Sequence, residues 1–357
     1  MLDRESSLRL NLLRFPLIVG VVFIHAYSTT VGLSGGEIGV NQPNLISDFV
    51  RNFISQGIAR VAVPLFFLMS GYLFFAGFEY SRESYALKLK SRTKTLLIPF
   101  IFWNIATLMV IALAQTIPAT SVFFSGKNSL ISSFGAYDYL NAIIGFTRKP
   151  IAYQFWFIRD LIILVLFVPL IKVAVKFAPL PFFGLLLLYW LIGSWPVSAP
   201  SSEALLFFSA GVYFGSTQKS LFYLDDFGPI IVGLCLAIFA IDAITVSQWF
   251  NPYLHKIGIV LGISAALFLT KLVAQHEKLV ILISSLSGAS FFVYAVHEPF
   301  LTIIKKISYK MLLPESSFVI LFLYFLNPII TIAVAVVVYR GLVRVAPRFI
   351  SIVTGGR

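Results

Sequence analysis

Two residues in the segment RFPLIVGVVFIH, Arg14 and His25, are of a type that does chemistry. They sit in an apolar run, 10–33, long enough to span a bilayer. Ionisable groups at that depth face a protein interior or a wet cavity. The two residues stand eleven positions apart, which at about 100° per residue is roughly three turns plus ~20°. Both side chains therefore share one helix face, ~16 Å apart along the axis. A neutral imidazole can take a proton from a hydroxyl as that hydroxyl attacks a thioester. A guanidinium forms forked hydrogen bonds to phosphate or carboxylate. Together they read as one wall of a tunnel around which the other spans are arranged. The plain alternatives are a buried histidine bonded to a neighbouring helix and an arginine snorkelling to the interface.

Four further segments carry polar residues of interest. In LKLKSRTKTLLIPFIFW, Lys88, Lys90, Arg92 and Lys94 form the densest cationic patch, read either as a phosphate clamp or as a solvated cytoplasmic loop. RVAVPLFFLMSGYLF holds Pro64 mid-span and the trio Ser70, Gly71 and Tyr72, suited to close helix packing and to supplying hydroxyls. YQFWFIRDL places Arg159 beside Asp160; adjacent side chains diverge on a helix, so each is expected to pair elsewhere. Its Tyr153 and Trp156 read as interfacial belt residues that could also stack on sugar rings. In SGASFFVYAVHEPF, Ser290, Tyr294 and His297 follow i, i+4, i+7 spacing, with Glu298 adjoining, and form one polar stripe. His255 and His276 sit at loop edges and receive no role. Asp242 reads as a bundle-facing hydrogen bond and Asn327-Pro328 as a kink. The lone Cys235 provides no disulfide or cysteine metal site. HExxH, Walker, GxSxG and dinucleotide patterns are absent from the sequence, and no metal is expected.

The elements that must position these residues are membrane helices. Of 357 residues, 59% are hydrophobic and only 12% charged, far from the composition of a soluble domain. The expected architecture is an all-α integral membrane protein of one domain, 1–357, with no fused soluble domain. Ten spans are predicted, at about 10–33, 57–78, 95–117, 153–175, 181–198, 203–218, 228–247, 255–274, 279–304 and 317–343. Lys and Arg concentrate in the loops that share a side with the N-terminus, which predicts both termini in the cytoplasm; Lys305, Lys306 and Lys310 run against the trend. The net charge of +12 is assigned to that face, and no nucleic-acid partner is expected. The first span lacks a cleavage site and is read as retained. The long loops 34–56 and 118–152, the latter with Ser, Gly and Asn around 125–133, are candidate binding loops or lids. The tail after Arg348 is expected to fray.

In their order these segments resemble the acyltransferase family 3 membrane enzymes, bacterial O-acetyltransferases of surface polysaccharides and related glycans. The resemblance runs from about Leu8 to Arg344. It is carried by Arg14 with ten residues before His25, PLFFLMSGYLF, RTKTLLIPFIFW, WFIRDL and SFFVYAVH. It implies His25 as the essential catalytic residue and Arg14 as its functional partner. It also implies an acyl-CoA donor, acetyl-CoA first, no permanently bound cofactor, a glycan hydroxyl as acceptor, and residence in the bacterial cytoplasmic (inner) membrane. Many members carry Arg-x-x-Arg before the third span; here Arg92 fills the first position but Thr95 the second, with Lys94 a candidate substitute. The family often carries an extracytoplasmic hydrolase-like domain. Its absence here predicts either transfer within the membrane domain or hand-over to a separate polysaccharide-assembly protein.

The expected phosphate ligands are Arg14 and Arg92 with Lys90 or Lys94. The expected acceptor residues are Ser70, Tyr72, Trp156, Arg159, Asp160, Tyr294, His297 and Glu298; Tyr294, His297, Ser70 or Tyr72 would supply an oxyanion donor. His25 is either a general base or a transient acyl carrier. The acyl group and the acceptor stay open. The competing class is a secondary transporter or flippase of a lipid-linked or small polar substrate, which explains intramembrane His, Arg and Asp equally well. A missing internal repeat and the one-sided cationic patch stand against it. A structural or regulatory subunit would make His25 dispensable.

Overall fold

In a lipid core the backbone must satisfy its own amides, so apolar runs fold as helices. The computed structural model describes residues 3–76, 80–124 and 129–356. Lys127, Arg357 and the loop stretch 125–128 lie outside the described residues. The helices are α1 (Arg4–Ala26), α2 (Leu45–Arg51), α3 (Ala62–Phe75), α4 (Arg82–Arg92), α5 (Ile98–Thr116), α6 (Ala136–Ile144), α7 (Trp156–Leu166) and α8 (Val168–Phe177), followed by α9 (Pro179–Ile192), α10 (Ser202–Ser216), α11 (Gly228–Ile244), α12 (Asn251–Ala274), α13 (Glu277–Ser287), α14 (Ser290–Leu312), α15 (Ser317–Val345) and α16 (Pro347–Val353). A hairpin of β1 (Thr30–Leu33) and β2 (Gly36–Gly39) follows α1, paired antiparallel with Thr30 opposite Gly39.

Among the described residues, six helical stretches are long and apolar enough to cross a bilayer: Arg4–Ala26, Leu45–Phe75, Arg82–Thr116, Asp225–Ile244, Asn251–Ala274 and Ser317–Val345. Two bent pairs, Val168–Phe177 with Pro179–Ile192 and Glu277–Ser287 with Ser290–Leu312, raise the number to eight. The predicted run 10–33 is helical only to Ala26, because the chain turns into the hairpin. The predicted span 153–175 is interrupted at Phe167, and 181–198 ends at Ile192, where Gly193 takes a left-handed conformation (φ 74°). The 116° bend between α8 and α9 falls at Ala178, whose helical conformation is disfavoured by Pro179 after it. The predicted span 279–304 bends by 60° between α13 and α14 and leaves helical geometry again at Glu298, ahead of Pro299. The C-terminal tail does not fray: Ile350 and Val353 are buried, and the Trp103 indole donates to the Val353 carbonyl at 2.9 Å.

Helix α1 is the central element, packed against α3, α12, α13, α14 and α15. Both of its ends are pinned. At its start, buried Arg9 donates to Asp225 at 2.6 Å, to the Thr270 hydroxyl and to the Leu267 carbonyl, and stacks on Phe222. At its end, buried Lys305 of α14 donates to the Ala26 carbonyl, which the helix itself leaves unpaired, and to the Ser28 carbonyl just beyond it. Large apolar side chains such as Met109, Leu113, Leu180, Ile230 and Val337 stay exposed on the outside of the bundle, where lipid covers them.

Candidate active site

A cavity of 840 Å³ runs along α1 from Asn11 and Arg14 to His25 and Tyr27, a helix length of roughly 21 Å between Asn11 and His25. Arg92 lines it together with Arg14; Arg60, Lys149 and Tyr153 line it together with His25. Two departures from α-helical winding shape its wall. The stretch Leu45–Phe75 passes through a π turn, Asn52–Gly57, that carries Gln56, and then a 3-10 turn, Ile58–Val61, that carries Arg60. The stretch Arg82–Thr116 passes through a second π turn, Thr93–Leu97, directly after Arg92. Such turns re-aim side chains that a regular helix would point elsewhere.

His25 occupies the last turn of α1. Its Nδ1 stands 3.0 Å from the Tyr153 hydroxyl oxygen, and its ring centroid 5.1 Å from that of His297. Glu298 faces the Tyr153 hydroxyl and accepts a hydrogen bond from the Thr302 hydroxyl at 2.7 Å. Tyr153 is held by the loop that carries it. The Ala152 amide donates to Asn104 of α5 at 3.1 Å, and the Ile151 amide to the Ala142 carbonyl at 2.7 Å. The next residue, Gln154, closes a gap in α14. Pro299 has no N–H for the Ala295 carbonyl, and the break at Glu298 frees another carbonyl. The Gln154 amide donates to both, at 3.1 and 2.8 Å. The kink that places Glu298 near His25 is thus stabilised from the opposite side of the cavity.

The acyltransferase domain family, acyltransferase 3, matches residues 7–340. The chain belongs to this family. It is also similar to the succinoglycan biosynthesis protein ExoH of Rhizobium meliloti (strain 1021), at 28% identity over 372 residues covering 100% of this chain and 94% of that protein. No solved structure matches it. The transporter, flippase and structural-subunit alternatives therefore give way to an enzyme.

Within this acyltransferase the predicted site residues divide into three groups. Arg14, His25, Ser70, Arg92, Trp156 and Tyr294 line the cavity. His297 and Glu298 are buried immediately behind His25 and Tyr153. Lys90, Lys94, Tyr72, Arg159 and Asp160 are not among the lining residues. Lys90 and Lys94 are exposed on the surface, and Tyr72 is buried in the core. Arg159 and Asp160, expected to pair elsewhere, pair with each other at 3.1 Å because the long arginine stem folds back over its neighbour. Arg159 also donates to the Gly145 carbonyl at 2.6 Å, and Asp160 accepts from the Ser201 amide at 2.9 Å. The pair ties α7 to the loop after α6 and to the start of α10.

Two expected oxyanion donors have their hydrogens committed. The Tyr294 hydroxyl donates to the Gln154 carbonyl at 2.7 Å. The His297 Nδ1–H donates to the Tyr294 carbonyl at 2.6 Å, leaving a buried Nε2 without a partner among the described residues; in the neutral ring that atom is an acceptor. Sequence reasoning missed Tyr153 as a partner of His25, together with Gln154, Arg60 and Lys305. The nearest signal was the position of Tyr153 and Gln154 just ahead of the WFIRDL box. Asp242 receives Asn251 at 2.8 Å and faces His255 at 2.9 Å; the Asn327 backbone carbonyl accepts from the Thr331 hydroxyl within α15, and its buried side-chain Oδ1 has no partner among the described residues.

Proposed function

We propose that this acyltransferase moves a short acyl group, acetyl first, from acyl-CoA to a hydroxyl of a cell-envelope or exported polysaccharide. The observation that carries this reading is one cavity lined by Arg14, Arg92 and His25, in which Arg14 and His25 stand ~16 Å apart along α1, about the length of an extended pantetheine arm. The similarity to a succinoglycan biosynthesis protein supports a polysaccharide acceptor. The bias of Lys and Arg toward the loops on the side of the N-terminus supports cytoplasmic termini; in this reading the membrane is a bacterial inner membrane, Arg14 faces cytoplasmic acyl-CoA and His25 faces the acceptor.

In this mechanism Arg14 and Arg92 hold the CoA phosphates, and the thioester lies beside His25. The acceptor oxygen attacks the thioester carbonyl carbon while its proton passes to Nε2 of His25. The C–S bond breaks, and the imidazolium returns the proton to the thiolate, giving free CoA and the ester. His25 Nδ1–H donates to the Tyr153 oxygen, whose own proton is held by Glu298; this fixes the tautomer with a free Nε2 lone pair. Ser70 is the remaining hydroxyl donor for the oxyanion. In the covalent version, Nε2 takes the acyl group first and passes it to the acceptor.

The test is release of CoA from acetyl-CoA or succinyl-CoA by the purified protein in nanodiscs with polysaccharide extract added, and detection of the ester on the glycan. Failure to bind or turn over either donor would sink the donor assignment. Arg14→Ala is expected to raise KM for acyl-CoA about 10- to 100-fold, the loss of one charge-assisted hydrogen-bonded contact, with a smaller change in kcat. Tyr153→Phe is expected to lower kcat by about tenfold or more with KM for acyl-CoA unchanged. The same kinetic series checks both: a Tyr153→Phe effect confined to KM would remove Tyr153 from the proton path.

A further inference from the structure

Beside the main cavity lies a second pocket of 230 Å³, lined by Gln56, Arg60, Trp190, Glu203, His255 and Lys256. Gln56 and Arg60 line both hollows, so the two adjoin at this pair. Each polar group of the pocket is held in place by one internal contact and keeps further bonding capacity. Arg60 donates from Nε and Nη2 to Gln56 Oε1, at 2.9 and 2.6 Å, and its Nη1 has no partner among the described residues. Glu203 accepts from the Trp190 indole on Oε2 at 3.2 Å, leaving Oε1. His255 faces Asp242 through Nδ1 at 2.9 Å, leaving Nε2. Lys256 spends one N–H on the Leu191 carbonyl at 2.8 Å and keeps two.

Partly buried polar groups call for partners, and this set specifies which. A single carboxylate among cations argues against a metal ion, and that same carboxylate argues against phosphate. Preoriented donors and one acceptor match the vicinal hydroxyls of a pyranose. The volume is roughly that of eight waters, room for one ring. We propose that this pocket is a sugar subsite, holding a neutral pyranose unit adjacent to the one acylated at His25. The proposal rests on the reading of the main cavity as the site of acyl transfer. It makes acceptor length, and not only the acylated sugar, a determinant of recognition.

The experiment uses the full chain in nanodiscs with acetyl-CoA and neutral hexose oligosaccharides of increasing length, from the monosaccharide glycosides upward. Wild-type kcat/KM is expected to rise about tenfold between the monosaccharide glycosides and the longer acceptors. In Glu203→Gln and Lys256→Met that gain is lost, while turnover of the monosaccharide glycosides and KM for acetyl-CoA stay at wild-type values. Retention of the gain in both variants, or an equal loss on short and long acceptors, would overturn the subsite. If the wild type releases no CoA with any sugar, the transfer reading fails and the subsite is judged on binding alone. Saturation-transfer NMR of the longest oligosaccharides should then give a signal that both variants abolish; a signal they leave intact overturns it.

Discussion

His25→Ala is expected to lower acyl transfer by roughly 10³- to 10⁴-fold, the upper range for removal of a general base. The expectation follows from the placement of the ring. His25 alone among the described histidines lines the main cavity, and its Nδ1 is engaged by Tyr153, which turns Nε2 toward substrate. Donor binding should survive, because the arginine end stands ~16 Å away along α1. Folding should survive too, since His25 is only partly buried. The measurements are CoA thiol release and the Kd of a thioether analogue of acetyl-CoA. Residual activity above a tenth of wild type would remove His25 from the chemistry. Mass analysis of acceptor-free wild type separates the two versions of the mechanism. An acetyl group on the His25 peptide that disappears on adding acceptor identifies a carrier; turnover without it identifies a base.

The wall of the site was legible in the sequence because Arg14 and His25 belong to one helix, where a period of 3.6 residues settles which side chains share a face. The partners of His25 were not legible, because they come from other elements. Tyr153 lies 128 positions away, and it reaches His25 only because Asn104 and Ala142 hold its loop. Glu298 reaches the same point only because α14 leaves helical geometry there, and spacing on an ideal helix would aim it elsewhere. Periodicity grouped Ser290, Tyr294 and His297 as one stripe, yet Ser290 and Tyr294 line the cavity while His297 is sealed behind His25. Hydropathy found the apolar runs but not where they bend. Runs ending in Gly193 or broken ahead of Pro179 and Pro299 are as apolar as intact ones, and what decides their course is the local backbone. Arg159 and Asp160 looked like chemistry because they are charged and near an aromatic cluster; three-dimensional packing makes them a tie between α7, the Gly145 loop and α10.

Gly71 and Gly211 carry the largest expected effect on the fold. In the SGYLF segment, Gly71 read as a close-packing residue, and α3 and α10 meet there at backbone distance. A Cβ at Gly71 would stand 2.1 Å from the Phe208 carbonyl oxygen, and one at Gly211 2.1 Å from that of Leu68. The obstruction is backbone on both sides, so no rotamer change relieves it; the helices must separate. Separation opens gaps along an interface packed at interior density, and in lipid such close packing is a main source of helix association. Gly71→Ala and Gly211→Ala are each expected to cost more than about 3 kcal/mol, at or above the upper range for overpacking, and Gly211→Leu to abolish the folded protein. Gly184→Ala and Gly233→Ala supply the control: nothing lies within 4 Å of either Cβ position, and alanine in a helix interior is favoured by roughly 0.5–1 kcal/mol. Thermal melts and gel-filtration profiles in detergent read the difference. If the tight pair melted like the open pair, the α3–α10 contact would be no constraint on the fold. Because α3 also carries Ser70 into the cavity, folded survivors of the alanine variants should lose transfer activity more steeply than they lose donor binding.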